Sequence, residues 1–103
     1  MNLGISCRRM KSSLVKYTRQ ADNGEQYIFR FNNNYGAIVA RNSNTEGYHC
    51  THAYLWELSV IKFTNDSDDS WEQLYTSPVI GGEAIGELYG HEVEMFLNKI
   101  EEL

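Results

Sequence analysis

Residues 53–63, Ala-Tyr-Leu-Trp-Glu-Leu-Ser-Val-Ile-Lys-Phe, form the longest run rich in aromatic and β-branched residues in this chain of 103 residues. Such residues favour a pleated, half-buried backbone, so the run predicts a β-strand. Alternate side chains of a strand share a face, and here both faces are apolar, which is typical of a strand in the middle of a sheet. The residues of one face are Trp56, Leu58 and Val60, and those of the other are Leu55, Ile61 and Phe63.

Short polar turns separate most of the other segments that have strand composition. These segments are residues 13–19, 26–31, 35–41 and 71–75. Residues 21–25, Ala-Asp-Asn-Gly-Glu, and the three asparagines at 32–34 supply turn chemistry, because Asn and Gly adopt positive φ at little cost. Short turns join antiparallel neighbours, so we expect an antiparallel meander of four or five strands. The third of these strands contains two small residues, Gly36 and Ala37, which indicates that a helix or a neighbouring Tyr or Trp ring packs across them.

A C-terminal helix is predicted over residues 92–103. Its apolar residues recur at spacings of three or four, and charged residues occupy most of the other positions. The apolar stripe consists of Val93, Phe96, Leu97, Ile100 and Leu103. We expect the helix to pack on one face of the sheet, which gives an α+β fold. Before it, Gly81 and Gly82 allow a sharp turn into residues 83–88, for which we expect a single helical turn.

The length of the chain suits one hydrophobic core, so we expect a single domain over residues 13–103. Residues 1–12 show no clear period and are expected to be an arm, and Met10 is a candidate functional start. Two cysteines are too few for a disulfide scaffold and no signal-peptide pattern opens the chain, so we expect a reducing cytoplasm. No apolar run approaches the roughly 20 residues of a membrane span, and we expect no membrane partner.

Charge is distributed unevenly along the chain. The net charge is −5; residues 1–62 hold eight basic and four acidic residues, whereas residues 63–103 hold ten acidic residues and one base. This asymmetry either brings complementary charges together in the folded chain or creates an acidic face that attracts a basic partner. The candidate partner contacts are Asp66, Asp68, Asp69, Glu72, Glu83 and Glu87, with Tyr48 of the long polar loop 42–52 as an aromatic anchor.

Basic residues near the N terminus support an alternative, a small nucleic-acid-binding regulatory module acting through residues 8–19. Neutralising phosphates and stacking bases require cationic and aromatic side chains together, and Tyr17 lies among the cationic ones. The candidate contacts are Arg8, Arg9, Lys11, Lys16 and Arg19. The negative net charge weighs against this alternative.

Zinc-ligand residue types cluster in the long loop, as His49, Cys50 and His52. His91 or Cys7 could complete a set of four. Structural zinc sites usually have two pairs of closely spaced ligands, and the chain has only one such pair, so no metal site is predicted.

Two other patterns resemble binding loops only in part. The aspartates between residues 66 and 69 lack the central glycine and the terminal glutamate of a calcium loop. Gly81 and Gly82 lack the Lys and Ser or Thr of a phosphate-binding loop, and Glu83 would repel an anion. Because no nucleophile elbow or paired metal-ligand motif is present either, we expect no catalytic residues, no cofactor and no small-molecule substrate.

The order of several motifs resembles small uncharacterised accessory proteins of phages and prophages of Gram-positive bacteria. The motifs are Tyr-Ile-Phe-Arg-Phe at 27–31, Tyr-Gly-Ala at 35–37, Leu-Trp-Glu-Leu-Ser-Val-Ile at 55–61, Tyr-Thr-Ser-Pro-Val-Ile at 75–80, Ile-Gly at 85–86 and the acidic terminal helix. The resemblance spans residues 26–103 and carries no catalytic residue. It implies an accessory protein that occupies the surface of a host protein. The expected role is to inhibit or modulate a host factor such as a CRISPR or other defence nuclease, through carboxylates that mimic nucleic acid.

Overall fold

The computed structural model describes residues 12–19, 24–41, 55–82 and 84–103 of the chain. Within these residues the elements are six strands followed by one helix. The strands are β1 (Leu14–Arg19), β2 (Glu25–Arg30), β3 (Tyr35–Arg41), β4 (Trp56–Phe63), β5 (Trp71–Gln73) and β6 (Ile85–Leu88), and the helix is α1 (Gly90–Glu101). No helix in the described part of the chain is both long enough and apolar enough to cross a membrane.

The strands form one antiparallel sheet in the order β1-β2-β3-β4-β5, and β6 also pairs with β4. β3 lies along one edge of β4, whereas β5 and β6 pair with opposite ends of the other edge. β4 therefore has neighbours on both edges, as its two apolar faces predict. An antiparallel meander with a C-terminal helix on one face is the α+β fold expected from the sequence, and it is confirmed.

Residues 85–88 correct one expectation. The sequence pattern predicted a helical turn there, whereas β6 runs extended beside β4, with Leu88 opposite Trp56. β5 covers only the far end of that edge of β4, so β6 can hydrogen-bond to backbone groups that would otherwise lack partners. Glu87, with a φ of 58°, lies where the β4–β6 ladder is irregular.

The main core lies between α1 and one face of the sheet, which we call the helix face. Val93, Leu97 and Ile100 of α1 are completely buried. On the sheet, the buried apolar residues of this face are Tyr27, Phe29, Ala37, Val39, Trp56, Leu58, Val60 and Leu88, and Phe31 joins them just beyond β2. Full burial of a Val, Leu, Ile or Phe side chain contributes about 1.5–3 kcal/mol on transfer scales. The predicted stripe is thus largely confirmed, but Leu103 lies beyond the end of the helix and remains 37% exposed.

The second face of the sheet carries a smaller apolar cluster. Ile28, Ile61 and Phe63 are buried in it, and Val15, Ile38 and Trp71 pack against them. Gly36 lies on this face beneath the Phe63 ring, and a Cβ on Gly36 would fall 2.9 Å from Cε2 of Phe63. The ring that packs across Gly36 is therefore a phenylalanine, where the sequence predicted a tyrosine or a tryptophan.

The connections divide between the two ends of the sheet. The β2–β3 turn and the β4–β5 connection lie together at one end, which we call the turn end, where the Phe63 N–H donates to the Asn34 carbonyl oxygen at 2.8 Å. Asn34 takes a φ of 67°, in keeping with the turn chemistry of the asparagine run. Antiparallel pairing places the strand ends Arg19, Glu25, Arg41 and Trp56 at the opposite end of the sheet.

Side-chain contacts at both ends of α1 define its limits. At its N terminus, the Glu92 carboxylate accepts a hydrogen bond from the Tyr89 backbone N–H at 2.9 Å. At its C terminus, the Asn33 side-chain amide donates to the carbonyl oxygens of residues 100, 101 and 103 at 3.0–3.1 Å. The Ile100 carbonyl oxygen also accepts the Leu103 N–H at 3.2 Å, and the Asn33 side chain adds its hydrogen bonds at this end of the helix, which ties α1 to the turn end.

Candidate partner-binding site

The β4–β5 connection, residues 64–70, is a compact acidic turn held by its own polar side chains. The Thr64 hydroxyl donates to the Ser70 carbonyl oxygen at 2.6 Å, and the Ser70 hydroxyl donates to the Ser67 carbonyl oxygen at the same distance. The Ser67 N–H donates to the Asn65 side-chain oxygen at 2.7 Å. Ser, Thr and Asn favour turns because their side chains bond to nearby backbone in this way. The acidic turn therefore has a defined backbone conformation.

Arg30 of β2 holds the acidic turn from the neighbouring part of the sheet. Its guanidinium donates to three carbonyl oxygens of the turn and to one carboxylate. The acceptors are the carbonyl oxygens of Asn65 at 2.8 Å, Asp66 at 3.3 Å and Ser67 at 3.2 Å, and Oδ1 of Asp68 at 3.0 Å. A planar guanidinium can bind several acceptors at once in a fixed geometry, which an ammonium cannot.

The path of the Arg30 side chain depends on its neighbours on the second face. Arg30 lies opposite Gly36 in the β2–β3 ladder, so no side chain of β3 obstructs its way towards β4. The guanidinium then lies over the Phe63 ring at 4.5 Å from its centroid and also donates to the Asn34 side chain at 3.2 Å. Stacking on the ring and the fork of hydrogen bonds together fix where the acidic turn sits.

The structure brings together three of the predicted acidic contacts, Asp66, Asp68 and Asp69, in the acidic turn. All three are exposed, and the Asp68 side chain is 57% exposed despite its ion pair with Arg30. Glu72 follows on β5, also exposed, opposite Lys62 in the β4–β5 ladder. Arg30 and Lys62 neutralise only part of this charge, so the acidic turn and Glu72 together keep an excess of negative charge.

The remaining predicted contacts do not extend this acidic surface within the described residues. Glu87 is exposed on β6, level with residue 57 of β4, which is about 20 Å along the strand from the acidic turn. Glu83 and Tyr48 lie outside the described residues. The described acidic side chains therefore form a local patch at the turn end, and no single acidic face joins them all.

A buried ionic cluster, which was not predicted from the sequence, lies on the helix face at the opposite end of the sheet. Glu25 is only 2% exposed, and its Oε1 accepts hydrogen bonds from the hydroxyls of Tyr17 at 2.9 Å and Tyr27 at 3.4 Å. Its Oε2 accepts a hydrogen bond from Nε of Arg41 at 2.9 Å and pairs with Nη2 at 2.7 Å. Burial, followed by the charge of Glu25, raises the pKa of Tyr27 to about 12.

Aromatic rings enclose this cluster. The Tyr27 ring lies 4.8 Å from that of Tyr17 and 5.8 Å from that of Trp56, and the Arg41 guanidinium lies over the Trp56 ring at 5.0 Å. One sequence signal could have revealed the cluster. Glu25 is two residues before Tyr27, so alternation places its carboxylate on the core face, where a charge requires a partner.

The structure separates the two described residues of the basic segment. Lys16 lies opposite Ile28 in the β1–β2 ladder, on the second face, whereas Arg19 lies opposite Glu25, on the helix face. Arg8, Arg9 and Lys11 lie outside the described residues. Lys16 and Arg19 thus do not by themselves form a single basic surface with Tyr17.

No three His, Cys, Asp or Glu side chains within the described part of the chain are placed to share a metal ion. The candidate ligands Cys7, His49, Cys50 and His52 lie outside it. His91 is described, and its ring stacks with that of Tyr89 at the start of α1, with 6.1 Å between the centroids.

Comparison of the chain with protein-family models, with curated proteins and with solved structures finds no match. The resemblance to accessory proteins of phages and prophages therefore stays a prediction. No functional residue can be transferred from a relative, so function must be argued from the charges and contacts of the described residues.

Proposed function

We propose that this chain is a non-catalytic binding protein and that its acidic turn seats on a basic surface of a partner protein. The observation that carries the proposal is the fixed geometry of the acidic turn. Asp66, Asp68 and Asp69 project from a backbone that Arg30 and the internal hydrogen bonds hold in place. A preordered loop loses little conformational entropy on binding, and its carboxylates attract a basic surface over a distance.

The basic surface that the acidic turn contacts is proposed to be a nucleic-acid-binding groove. Nucleic-acid-binding grooves present Lys and Arg at spacings suited to phosphates, and closely spaced carboxylates can occupy the same positions. The partner would then be a host nuclease, such as a CRISPR or other defence nuclease, and the chain a phage-encoded inhibitor or modulator of it. The acidic C-terminal part of the sequence and the resemblance described above support this form.

A binding panel of purified nucleases and nucleic-acid-binding proteins from Gram-positive bacteria tests the proposal. We expect at least one to bind the full chain with an affinity that falls as salt rises, and to release its nucleic acid on binding. Replacement of one exposed carboxylate, Asp69→Asn, should weaken the complex about threefold to tenfold. Asp69 is chosen because Asp68 also holds the turn through Arg30.

The matched control is Glu57→Gln, which removes one exposed carboxylate from β4 at the opposite end of the sheet. It should leave the affinity unchanged. Absence of any complex at low salt, or equal weakening by both variants, would rule out the proposed site. The alternative, a nucleic-acid-binding module, predicts that the chain alone retards DNA or RNA in a gel, with an affinity that falls steeply with salt.

A further inference from the structure

β1 is the outermost strand of the described sheet. Its inner edge pairs with β2, and no described strand pairs with its outer edge. The ladder with β2 is irregular between Leu14 and Lys16 and regular over residues 16–19. A regular extended strand at the border of a sheet presents backbone N–H and C=O groups outward, which is the basis of recognition by strand addition.

Tyr17, in the regular part of β1, is exposed and fixed at the same time. Its side chain is 42% exposed, while its ring packs on Tyr27 and its hydroxyl donates to buried Glu25 at 2.9 Å. A rigid, partly exposed aromatic ring gains contact area on binding at little entropic cost. Such residues are typical anchors of protein interfaces.

The charges of β1 select the kind of segment that could pair with it. Lys16 and Arg19 are exposed and lie on opposite faces, so they flank the outer edge on both sides, and β1 contains no acidic residue. A second copy of β1 would bring like charges together across the new pair of strands, whereas an acidic strand would bring opposite charges together. The edge therefore favours an acidic occupant over self-pairing.

We infer that the outer edge of β1 binds an extended acidic segment of a partner protein by strand addition, with Tyr17 as its aromatic anchor. This surface is distinct from the acidic turn, because β1 lies three strands, or about 14 Å, across the sheet from β4. The inference does not depend on the function proposed above. It assigns opposite charge preferences to two separate parts of the molecule.

The test uses the full chain and a synthetic peptide in which Glu alternates with Val or Thr. We expect the amide resonances of residues 14–19 to shift on titration with this peptide. The affinity should fall with salt and be lost when alternate peptide nitrogens are methylated, because methylation removes the hydrogen-bond donors that strand addition needs. Replacing both Lys16 and Arg19 by Gln should weaken binding about fivefold, whereas the same change at Lys62 and Lys99 should not.

Several outcomes would overturn the inference. Amide shifts that map away from β1, equal affinity for the methylated peptide, or equal weakening by the two double variants would each exclude strand addition at this edge. Tighter binding of an oligothymidylate at the same amides would identify a nucleic-acid site. Shifts of those amides with protein concentration alone would identify a contact between copies of the chain.

Discussion

At Gly36 the backbones of β2 and β3 and the ring of Phe63 come so close together that a methyl group has no space. A Cβ there would overlap the carbonyl oxygen of Phe29, which is backbone and cannot move without disturbing the β2–β3 ladder. We expect Gly36→Ala to lower the free energy of unfolding by more than about 2 kcal/mol. Urea unfolding followed by tryptophan fluorescence would measure the loss.

Gly86 provides the control for this substitution. It also lies in a strand, β6, but a Cβ there would meet nothing within 4 Å. Gly86→Ala should be neutral or stabilise the protein by up to about 1 kcal/mol, because alanine restricts the unfolded chain. If both variants lost the same stability, the close approach at Gly36 would not be the cause.

The raised pKa of the Tyr27 hydroxyl predicts that the protein loses stability at high pH. Its pKa is raised from 10.0 to about 12, first by burial and then by the charge of Glu25. An unfolded tyrosine loses its proton near pH 10, so the stabilisation is complete below about pH 10 and is lost as pH rises towards about 12. The free energy of unfolding should fall by about 2 kcal/mol over this range. Tyr27→Phe has no such proton, so its stability should decline less; equal declines would contradict this origin.

At the scale of elements, the acidic turn depends on one side chain from a strand outside it. Arg30 contributes hydrogen bonds to three of its carbonyl oxygens. Arg30→Lys keeps the charge and loses the planar fork, so the turn should loosen although its net charge is unchanged. We expect amide hydrogen exchange of residues 65–70 to accelerate about tenfold and stability to fall by about 1–2 kcal/mol.

Lys62→Arg is the control for Arg30→Lys, because it exchanges the same two residue types at an exposed position of β4. Exchange in the acidic turn should then stay as it is in the unaltered protein. If amide hydrogen exchange of residues 65–70 were unchanged in Arg30→Lys too, the internal hydrogen bonds of Thr64, Ser67 and Ser70 would be sufficient to order the turn.

The helix α1 is the element for which sequence and structure agree best. Apolar residues at spacings of three or four lie on one side of a helix, and three of them, Val93, Leu97 and Ile100, are buried against the sheet. Its start differs by two residues from the prediction, at Gly90, where Glu92 accepts the Tyr89 N–H. Leu103 is exposed because the helix ends at Glu101, where Asn33 of a distant turn bonds to the last carbonyls.

At the scale of the whole molecule, the buried ionic cluster joins four of the six strands. Tyr17 belongs to β1, Glu25 and Tyr27 to β2, Arg41 to β3 and Trp56 to β4. Removing one partner of a buried ion pair leaves an uncompensated charge, which costs more than the pair contributes. The two partners differ in exposure, with 3% of the Glu25 side chain exposed and 18% of that of Arg41.

This difference predicts an asymmetry between two substitutions. Arg41→Gln leaves the more deeply buried carboxylate without its cation and should lower the free energy of unfolding by about 3 kcal/mol. Glu25→Gln leaves a guanidinium that water can reach and should cost about 1–2 kcal/mol. Chemical denaturation at neutral pH measures both. A larger loss for Glu25→Gln would show that Arg41 is the partner that depends on the pair.

The strands β1 to β5 and the helix could be predicted from the sequence, and so could the buried faces of β2, β4 and α1. In β1 the irregularity between Leu14 and Lys16 puts Leu14 and Tyr17 on the same face, which strict alternation does not predict. Alternation in strands and spacings of three or four in a helix are local consequences of burial, so they can be read from neighbouring residues such as Trp56, Leu58 and Val60. Contacts between residues distant in sequence could not be predicted in this way, because they depend on how the strands are arranged in the sheet. Residues 85–88 form a strand because they pair with the part of the edge of β4 that β5 does not cover. Glu25 contacts its partners because side chains from four strands meet there. The course of β4 placed Glu87 about 20 Å from the acidic turn, because strand length, and not sequence spacing, sets the distance between the ends of a sheet.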